Sequence, residues 1–432
     1  MPNDRATMRD GPDMRHGLSP PDDDPVARNI AIYPWFRFCQ SLIFWQAVWF
    51  LYFQAQLSAT EAILLYAIYD VGTTALEVPS GYMSDRLGRR LTLVASALAG
   101  LAGAVLLALG DDFATFALAQ ILMGASMAFA SGTDSAMLYE SLVAAGRKTE
   151  AEQQELRAWR FSFTALALSA VTGGALATLA PTAPFYAGAL AFGGVLLLVL
   201  RFHEPPKSGA PLPEGAEMLR LRSLKSAVTQ PVLIWLFALS VLMYGFSHLP
   251  FVFGQPFILN ALEAGGHAAN APTVSGAVSA VMMVISVLTS WWASRLRHWL
   301  GLPAILMAAF AMQIALIGVL ALSNTAIVIA IMFLRMVPDS LSKPFIAARV
   351  QPELQDDSRA TYLSLQSFCA RLAFAVTLYL ASFGTAGEGQ MPYADIQRIL
   401  GYYVIGGLIV LTALIIAARR LPIDGARAAS SG

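Results

Sequence analysis

Charge is what this sequence has least of. Asp, Glu, Lys and Arg make up 13% of 432 residues, while 56% are hydrophobic, and that balance excludes an ordinary soluble domain. Positive and negative groups cancel at 28 each, so the whole chain has no field with which to hold nucleic acid, and none is expected as a partner. The two cysteines, Cys39 and Cys369, fall in separate apolar segments, where small buried hydrophobes are expected. With five histidines and no His-Glu-x-x-His, the chain lacks the pattern of an intramembrane metalloenzyme, and no metal is expected. None of the four lysines stands in Gly-x-x-x-x-Gly-Lys-Ser/Thr, which excludes ATP-driven work by this polypeptide alone. No cofactor and no enzymatic activity follow. Residues 1–29 lack an apolar run able to serve as a signal-peptide core and read as a disordered cytoplasmic tail.

What the chain has instead is apolar runs of membrane length. At 1.5 Å per residue, about 20 residues cross the ~30 Å hydrocarbon layer. Twelve such spans are expected, at about 30–55, 60–84, 91–110, 114–142, 157–180, 184–202, 229–260, 271–295, 301–322, 325–350, 359–383 and 395–418. The fold class is therefore an all-α membrane protein. One junction stands out, residues 203–228, rich in proline and charge. It divides an N-terminal six-helix bundle, 30–202, from a C-terminal one, 229–419, with a tail at 420–432. With both ends cytoplasmic, that face carries 24 of the 28 Lys and Arg, the opposite face only Arg398, and three lie within spans. The bias sets a multi-pass topology in the inner membrane, with lipid as surroundings and a monomer as the expected state.

The halves resemble copies of one another, as in transporters built from repeats. Asp134-Ser135 in span 4 matches Asp339-Ser340 in span 10, and Arg157-Ala158 with Ser162 matches Arg359-Ala360 with Ser364. Ser84-Asp85-Arg86-Leu87 aligns with Ala293-Ser294-Arg295-Leu296.

Between spans 2 and 3 the chain reads Gly81-x-x-x-Asp85-Arg86-x-Gly88-Arg89-Arg90. In this place within twelve spans, the stretch resembles the loop 2–3 signature of the major facilitator superfamily. Span 4, Ser131 to Leu142, and the start of span 11 also resemble bacterial exporter-like members. The resemblance covers about residues 30–420 and implies alternating access by rocking of two bundles around a midplane site. Gly81 would let span 2 approach a neighbour closely. Asp85 would accept hydrogen bonds from the N-terminus of span 11, an assignment taken from the resemblance, and Arg89 would bridge to Glu140. Together these would latch the bundles on the cytoplasmic side; the other reading is that the loop charges serve topology and solvation alone.

Ionisable groups at depth cost several kcal/mol unless paired or hydrated. Counted from the cytoplasmic ends, Arg37, Glu77 and Asp134 lie at about 10–12 Å on spans 1, 2 and 4. They form either a structural ionic cluster or a site whose surplus acid, Glu77 or Asp134, carries a proton. Asp70 lies near the midplane on one stripe with Thr73, Thr74 and Glu77, beside Tyr66 and Tyr69, and a polar stripe faces protein or water. Arg335 and Arg371 also reach the midplane. Either could neutralise Asp339 or reach Asp70; if one stays free, the cavity favours an anionic or zwitterionic cargo.

Candidate substrate contacts are thus Arg37, Gln46, Tyr66, His248, Arg335, Asp339 and Arg371. Apolar continuity breaks at Ser131–Ser135 and at Pro338–Pro344, corresponding places in the two halves that point to the binding site. Trp35, Trp45, Trp49, Trp291 and Trp292 read as packing or interfacial anchors. Ser169-Ala170-Val171-Thr172-Gly173-Gly174 keeps the Gly-Gly of the drug-antiporter pattern in helix 5 and lacks its Gly-Pro. The expected function is proton-coupled efflux of a small organic solute, with uptake or exchange of an organic anion as the alternative. A non-transporting sensor or scaffold is the rival from another class.

Overall fold

The structure, a computed structural model, describes residues 25–206, 230–350, 356–385 and 390–424. The N-terminal tail, most of the linker and the end of the C-terminal tail lie outside the described residues. Twelve helical spans follow one another, with no strand among those residues. Among the described residues, nine helices are long and apolar enough to cross a membrane by length and composition alone. Spans 1, 2 and 10 are the remainder, and the reasons differ. Span 2, Ala59–Leu87, is unbroken but carries Glu61, Asp70, Glu77, Asp85 and Arg86. Span 1 is split into Pro25–Gln40, a 3-10 turn at Phe44–Ala47 and Trp49–Gln54. Span 10 is split into Ala326–Ile331, a 3-10 turn at Met332–Leu334 and Val337–Val350.

Span 4 also breaks, into Phe113–Ala130 and Thr133–Ala144. Gly132 turns the chain there with φ +74°, a backbone region that glycine enters without the Cβ clash. The break falls at the expected place. In span 10 it comes earlier than the prolines suggest. Pro338 is the second residue of the new helix, where a missing N–H costs nothing, and Pro344 is carried within that helix. The acids Asp134 and Asp339 occupy the first turns after the two breaks, where a carboxylate offsets the exposed N–H groups and positive end of a helix.

The other ends are built conventionally. Span 2 opens on a capping box, Ser58 Oγ accepting from Glu61 N and Glu61 Oε2 accepting from Ser58 N at 2.9 Å. Span 4 opens on Asp112, whose Oδ1 accepts from Thr115 N at 2.8 Å. That bond lowers the exposed Asp112 carboxyl below its ordinary value.

Spans 3, 5, 6, 7, 8, 9, 11 and 12 are Arg89–Leu109, Ala151–Leu179, Ala183–Leu200, Pro231–Glu263, Ala271–Leu300, Leu302–Leu322, Asp356–Ser382 and Tyr393–Ala418. Apolar side chains such as Leu179, Leu190, Leu322 and Ile327 point outward, as lipid contact requires. The halves meet most closely on the face away from the Gly81–Arg90 loop. There spans 5 and 8 touch backbone to backbone: a Cβ on Gly174 would lie 2.6 Å from Pro272 O, and one on Gly276 2.4 Å from Ala170 O. Gln255 of span 7 accepts from Phe50 N at 2.8 Å and donates to Gln46 O at 3.0 Å. Thr60 of span 2 bonds Thr385 and, at 3.4 Å, Ser382 O.

On the loop face each half ties its own end to its own loop. The Glu204 carboxylate, just beyond span 6, accepts from the backbone N–H of Arg89 at 2.6 Å and of Arg90 at 2.8 Å. Asp424, just beyond span 12, accepts from Leu302 N at 2.8 Å. Gly88 and Gly301 precede these helix starts with φ of +107° and +78°. The same device in both halves agrees with the duplicated sequence pattern.

Candidate functional site

Arg89 of the loop spans to Glu140 on span 4, Nη2 to Oε1 at 3.0 Å and Nε to Oε2 at 3.5 Å, and donates from Nη1 to Ser84 Oγ at 2.7 Å. Gly88 is needed twice over, for its positive φ and because a Cβ would come within 2.8 Å of the Glu204 carboxylate. Arg90 donates to Leu200 O at 2.7 Å, and Arg86 lies over the Tyr82 ring at 5.0 Å. Gly81 corrects an expectation: nothing lies within 4 Å of a Cβ placed there, so no close helix approach depends on it in this state. The Asp85 side chain, and the side chains at the start of span 11 that it was expected to meet, lie outside the described residues. Glu204 was missed because it falls within the stretch read as linker; an acid four residues past span 6 was the available signal.

Deeper in the first half, Arg37 of span 1 pairs with Asp134 of span 4. Arg37 also donates to Gln40 Oε1 at 3.0 Å and lies 5.9 Å from the Trp159 ring. Asp134 Oδ1 accepts from Ser135 N at 2.7 Å. Glu77 does not join this cluster, contrary to expectation. Equal depth placed it beside Arg37, but azimuth decides contact: seven residues from Asp70, it shares that stripe and feels Arg371 of the other half instead. Its carboxylate forms no ion pair among the described residues. The second acid near Arg37 and Asp134 is Glu155, with Tyr33 and Ser135 beside it. Glu155 was missed because span 5 begins at Ala151, six residues before the expected start.

Between the halves lies a cavity of about 400 Å³. It is lined by six of the expected residues, Gln46, Tyr66, Asp70, His248, Arg335 and Arg371. Arg37, Glu77, Asp134 and Asp339 do not line it. Asp339 is 6% exposed and accepts from Lys343 Nζ at 2.7 Å and Gln313 Nε2 at 3.2 Å, so it and Arg37 are occupied in structural pairs away from the cavity. Trp45 and Trp49 pack against Phe185 and Tyr66, as expected of packing groups. Both also wall the cavity, the broken span 1 turning them inward. Trp35, Trp291 and Trp292 are exposed, as anchors would be.

Asp70 is 1% exposed and bridges the halves. Its Oδ1 accepts from Arg371 Nη1 of span 11 at 3.1 Å and from Tyr244 OH of span 7 at 3.2 Å. Its Oδ2 and Arg371 Nε have no protein partner among the described residues. The His248 ring packs against Tyr244, tilted by 33° with ring centroids 4.1 Å apart, and its Nδ1 lies 2.7 Å from Tyr244 O. A carbonyl only accepts, so Nδ1 carries the proton. Arg335 is different from every other cation at depth. It forms no ion pair among the described residues, its buried Nε has no partner there, and its guanidinium lies 5.2 Å from the Phe251 ring. The 3-10 turn that breaks span 10 presents it to the cavity. Such a site can hold an anionic group and has a buried acid nearby able to exchange a proton.

Comparison with known proteins agrees with this architecture. A family model described as Major Facilitator Superfamily matches residues 32–378. No curated protein sequence matches. Among solved structures, the nucleoside transporter NupG superposes with a TM-score of 0.70 at 14% identity, covering 91% of this chain and 99% of its own. A bacterial homolog to the human lysosomal transporter Spinster, inward-facing and occupied, gives 0.67 at 16% identity, covering 94% and 99%. An auto inhibited peptide transporter of the POT family gives 0.65 at 13% identity, covering 93% and 98%. At these identities the likeness is one of fold.

Proposed function

The chain belongs to the major facilitator superfamily, and from that membership we propose that it carries a small organic anion together with a proton by alternating access. Membership makes it a multi-pass membrane transporter and not an enzyme. The observation that carries the finer reading is Arg335, a guanidinium without an ion-pair partner among the described residues, in the cavity between the halves. A cation at depth with no ion-pair partner is costly, and a bound carboxylate, sulfonate or phosphate monoester offsets it with charge-assisted hydrogen bonds. This favours an organic anion as cargo, the alternative set beside proton-coupled efflux of a small organic solute.

Asp70 is the proposed proton site. It is the one acid among the described residues lining the cavity, and its bond to Arg371 joins spans 2 and 11 across the two halves. Protonation would release Arg371 and loosen that bridge. The Lys and Arg bias supports an inner-membrane orientation with the Gly81–Arg90 loop in the cytoplasm. The close seam of spans 5 and 8 on the other face then makes this the state sealed from outside. Asp85 toward the start of span 11 is the cross-bundle part of the proposed cytoplasmic latch, with Gly88 and the Arg89–Glu140 bridge bracing the loop within the N-terminal half.

The test is uptake into proteoliposomes under an imposed pH gradient, with anionic metabolites screened beside lipophilic cations. Anion movement stimulated by the gradient and lost in Arg335→Gln is expected. Asp70→Asn should abolish the stimulation, while Glu77→Gln should retain it. Movement of cations alone would sink the anion reading, and an unchanged gradient response in Asp70→Asn would sink the proton assignment.

A further inference from the structure

We propose that the cavity selects an aromatic ring bearing a single negative group, the ring seated against Trp49, Tyr66 and Phe251 and the anionic group on Arg335; this rests on the transport reading above. The charge requirement comes from the lining. Asp70, Arg335 and Arg371 are its formally charged side chains, and the first and last neutralise each other at 3.1 Å. With Asp70 ionised, one positive charge remains, which a monoanion balances. In that form of the site a dianion would overshoot it, and a cation would add to it where unpaired charge is penalised.

The ring requirement comes from a corner of packed aromatics. Trp49 and Phe251 stack at 5.6 Å and 29°, Trp49 and Tyr66 lie 5.2 Å apart, and Tyr66 and Phe251 lie 5.7 Å apart. All three line the cavity. A further ring continues this pattern at the same spacings, with offset or edge contacts that add to area burial. The Arg335 guanidinium carbon lies 5.2 Å from the centre of the Phe251 ring, so one residue can hold a carboxylate while the adjoining ring packs on the aromatic wall.

Trp45 stacks on Phe192 at 6.3 Å and 22°, and both line the cavity. The volume, about 400 Å³, lies toward the small end of ligand cavities and suits one or two fused rings. Gln120, 8% exposed and lining the cavity, forms no side-chain hydrogen bond within the described residues and is placed to receive a polar ring substituent.

The test is equilibrium binding of radiolabelled benzoate to the full-length protein in lipid nanodiscs, with no gradient, competed by 1-naphthoate, cyclohexanecarboxylate, benzamide, benzylamine and phthalate. Benzoate and 1-naphthoate are expected to bind saturably, cyclohexanecarboxylate several-fold more weakly, and the neutral, cationic and dianionic probes more than about tenfold more weakly. Arg335→Gln should remove the preference for benzoate over benzamide. Phe251→Leu should bring benzoate and cyclohexanecarboxylate together while keeping the preference for charge, a change in selectivity that a merely structural role would not produce.

Absence of saturable benzoate binding overturns the proposal. So does native protein that binds benzamide, benzylamine, phthalate or cyclohexanecarboxylate as well as benzoate. Gradient-driven movement of solutes regardless of ring or charge would remove this assignment and leave the transport reading standing. Selective binding with no movement under a gradient would remove the transport reading alone.

Discussion

At the scale of single residues, the charges within the spans fall into two kinds. Arg37 with Asp134 joins spans 1 and 4, and Asp339 is taken up by Lys343 one turn on in its own helix and by Gln313 of span 9, while Asp70, Arg335 and Arg371 face the cavity. Removing one member of a buried pair strands the other, which costs about 3–5 kcal/mol; replacing both removes the stranded charge. Asp134→Asn is therefore expected to lower the thermal unfolding temperature in detergent, and Asp134→Asn with Arg37→Gln to recover much of the loss. A double variant no more stable than the single would refute a pair of this kind. Sequence spacing showed which residues lie at depth, because rise per residue is fixed. It did not show which face each one points to across neighbouring helices, and for that reason Glu77 was grouped with Arg37 and Glu155 was not.

At the scale of elements, the twelve spans were legible because lipid demands a long apolar run for each crossing. The break in span 4 was legible too, from Ser131-Gly132. The break in span 1 was not: no proline or glycine marks residues 41–48, and the turn there depends on Gly173 of span 5, where a Cβ would come 1.8 Å from Phe44 O. The Gly173-Gly174 doublet thus has two duties, Gly173 toward span 1 within its half and Gly174 toward span 8 across the seam.

Gly132 has open space around it and is constrained only by φ. Gly132→Ala should cost about 1–2 kcal/mol, the penalty of the left-handed backbone. Gly173→Ala must displace backbone and should destabilise well beyond that. The two unfolding temperatures, measured in one detergent, compare these directly, and equal losses would contradict the close approach at Gly173.

At the scale of the molecule, two bundles share a central cavity lined by six of the residues expected at a site. Tyr66, Gln46, Asp70, His248, Arg335 and Arg371 were identifiable because polar groups on spanning helices seek protein or water. Trp45 and Trp49 were not, since an aromatic residue in an apolar run reads equally as packing, and only the turn in span 1 shows which way they face. If the loop 2–3 charges latch the cytoplasmic side, Asp85→Asn should abolish transport while protein still reaches the membrane in normal amount. Activity near the native level would reduce that loop to a topological signal.

The bond between Asp70 and Arg371 also bears on the electrical character of the cycle. The empty cavity carries one net positive charge from its lining. With Asp70 protonated and a monoanion bound, it carries the same net charge. The loaded and empty forms would then cross the membrane alike, and the work of the membrane potential, about 2.3 kcal/mol per charge per 100 mV, on one crossing would be cancelled on the return. Exchange of a proton against a monoanion would instead move two charges per turnover. A potassium-diffusion potential imposed on proteoliposomes at equal pH separates these: uptake indifferent to voltage is expected for joint movement, and steep voltage dependence would refute it.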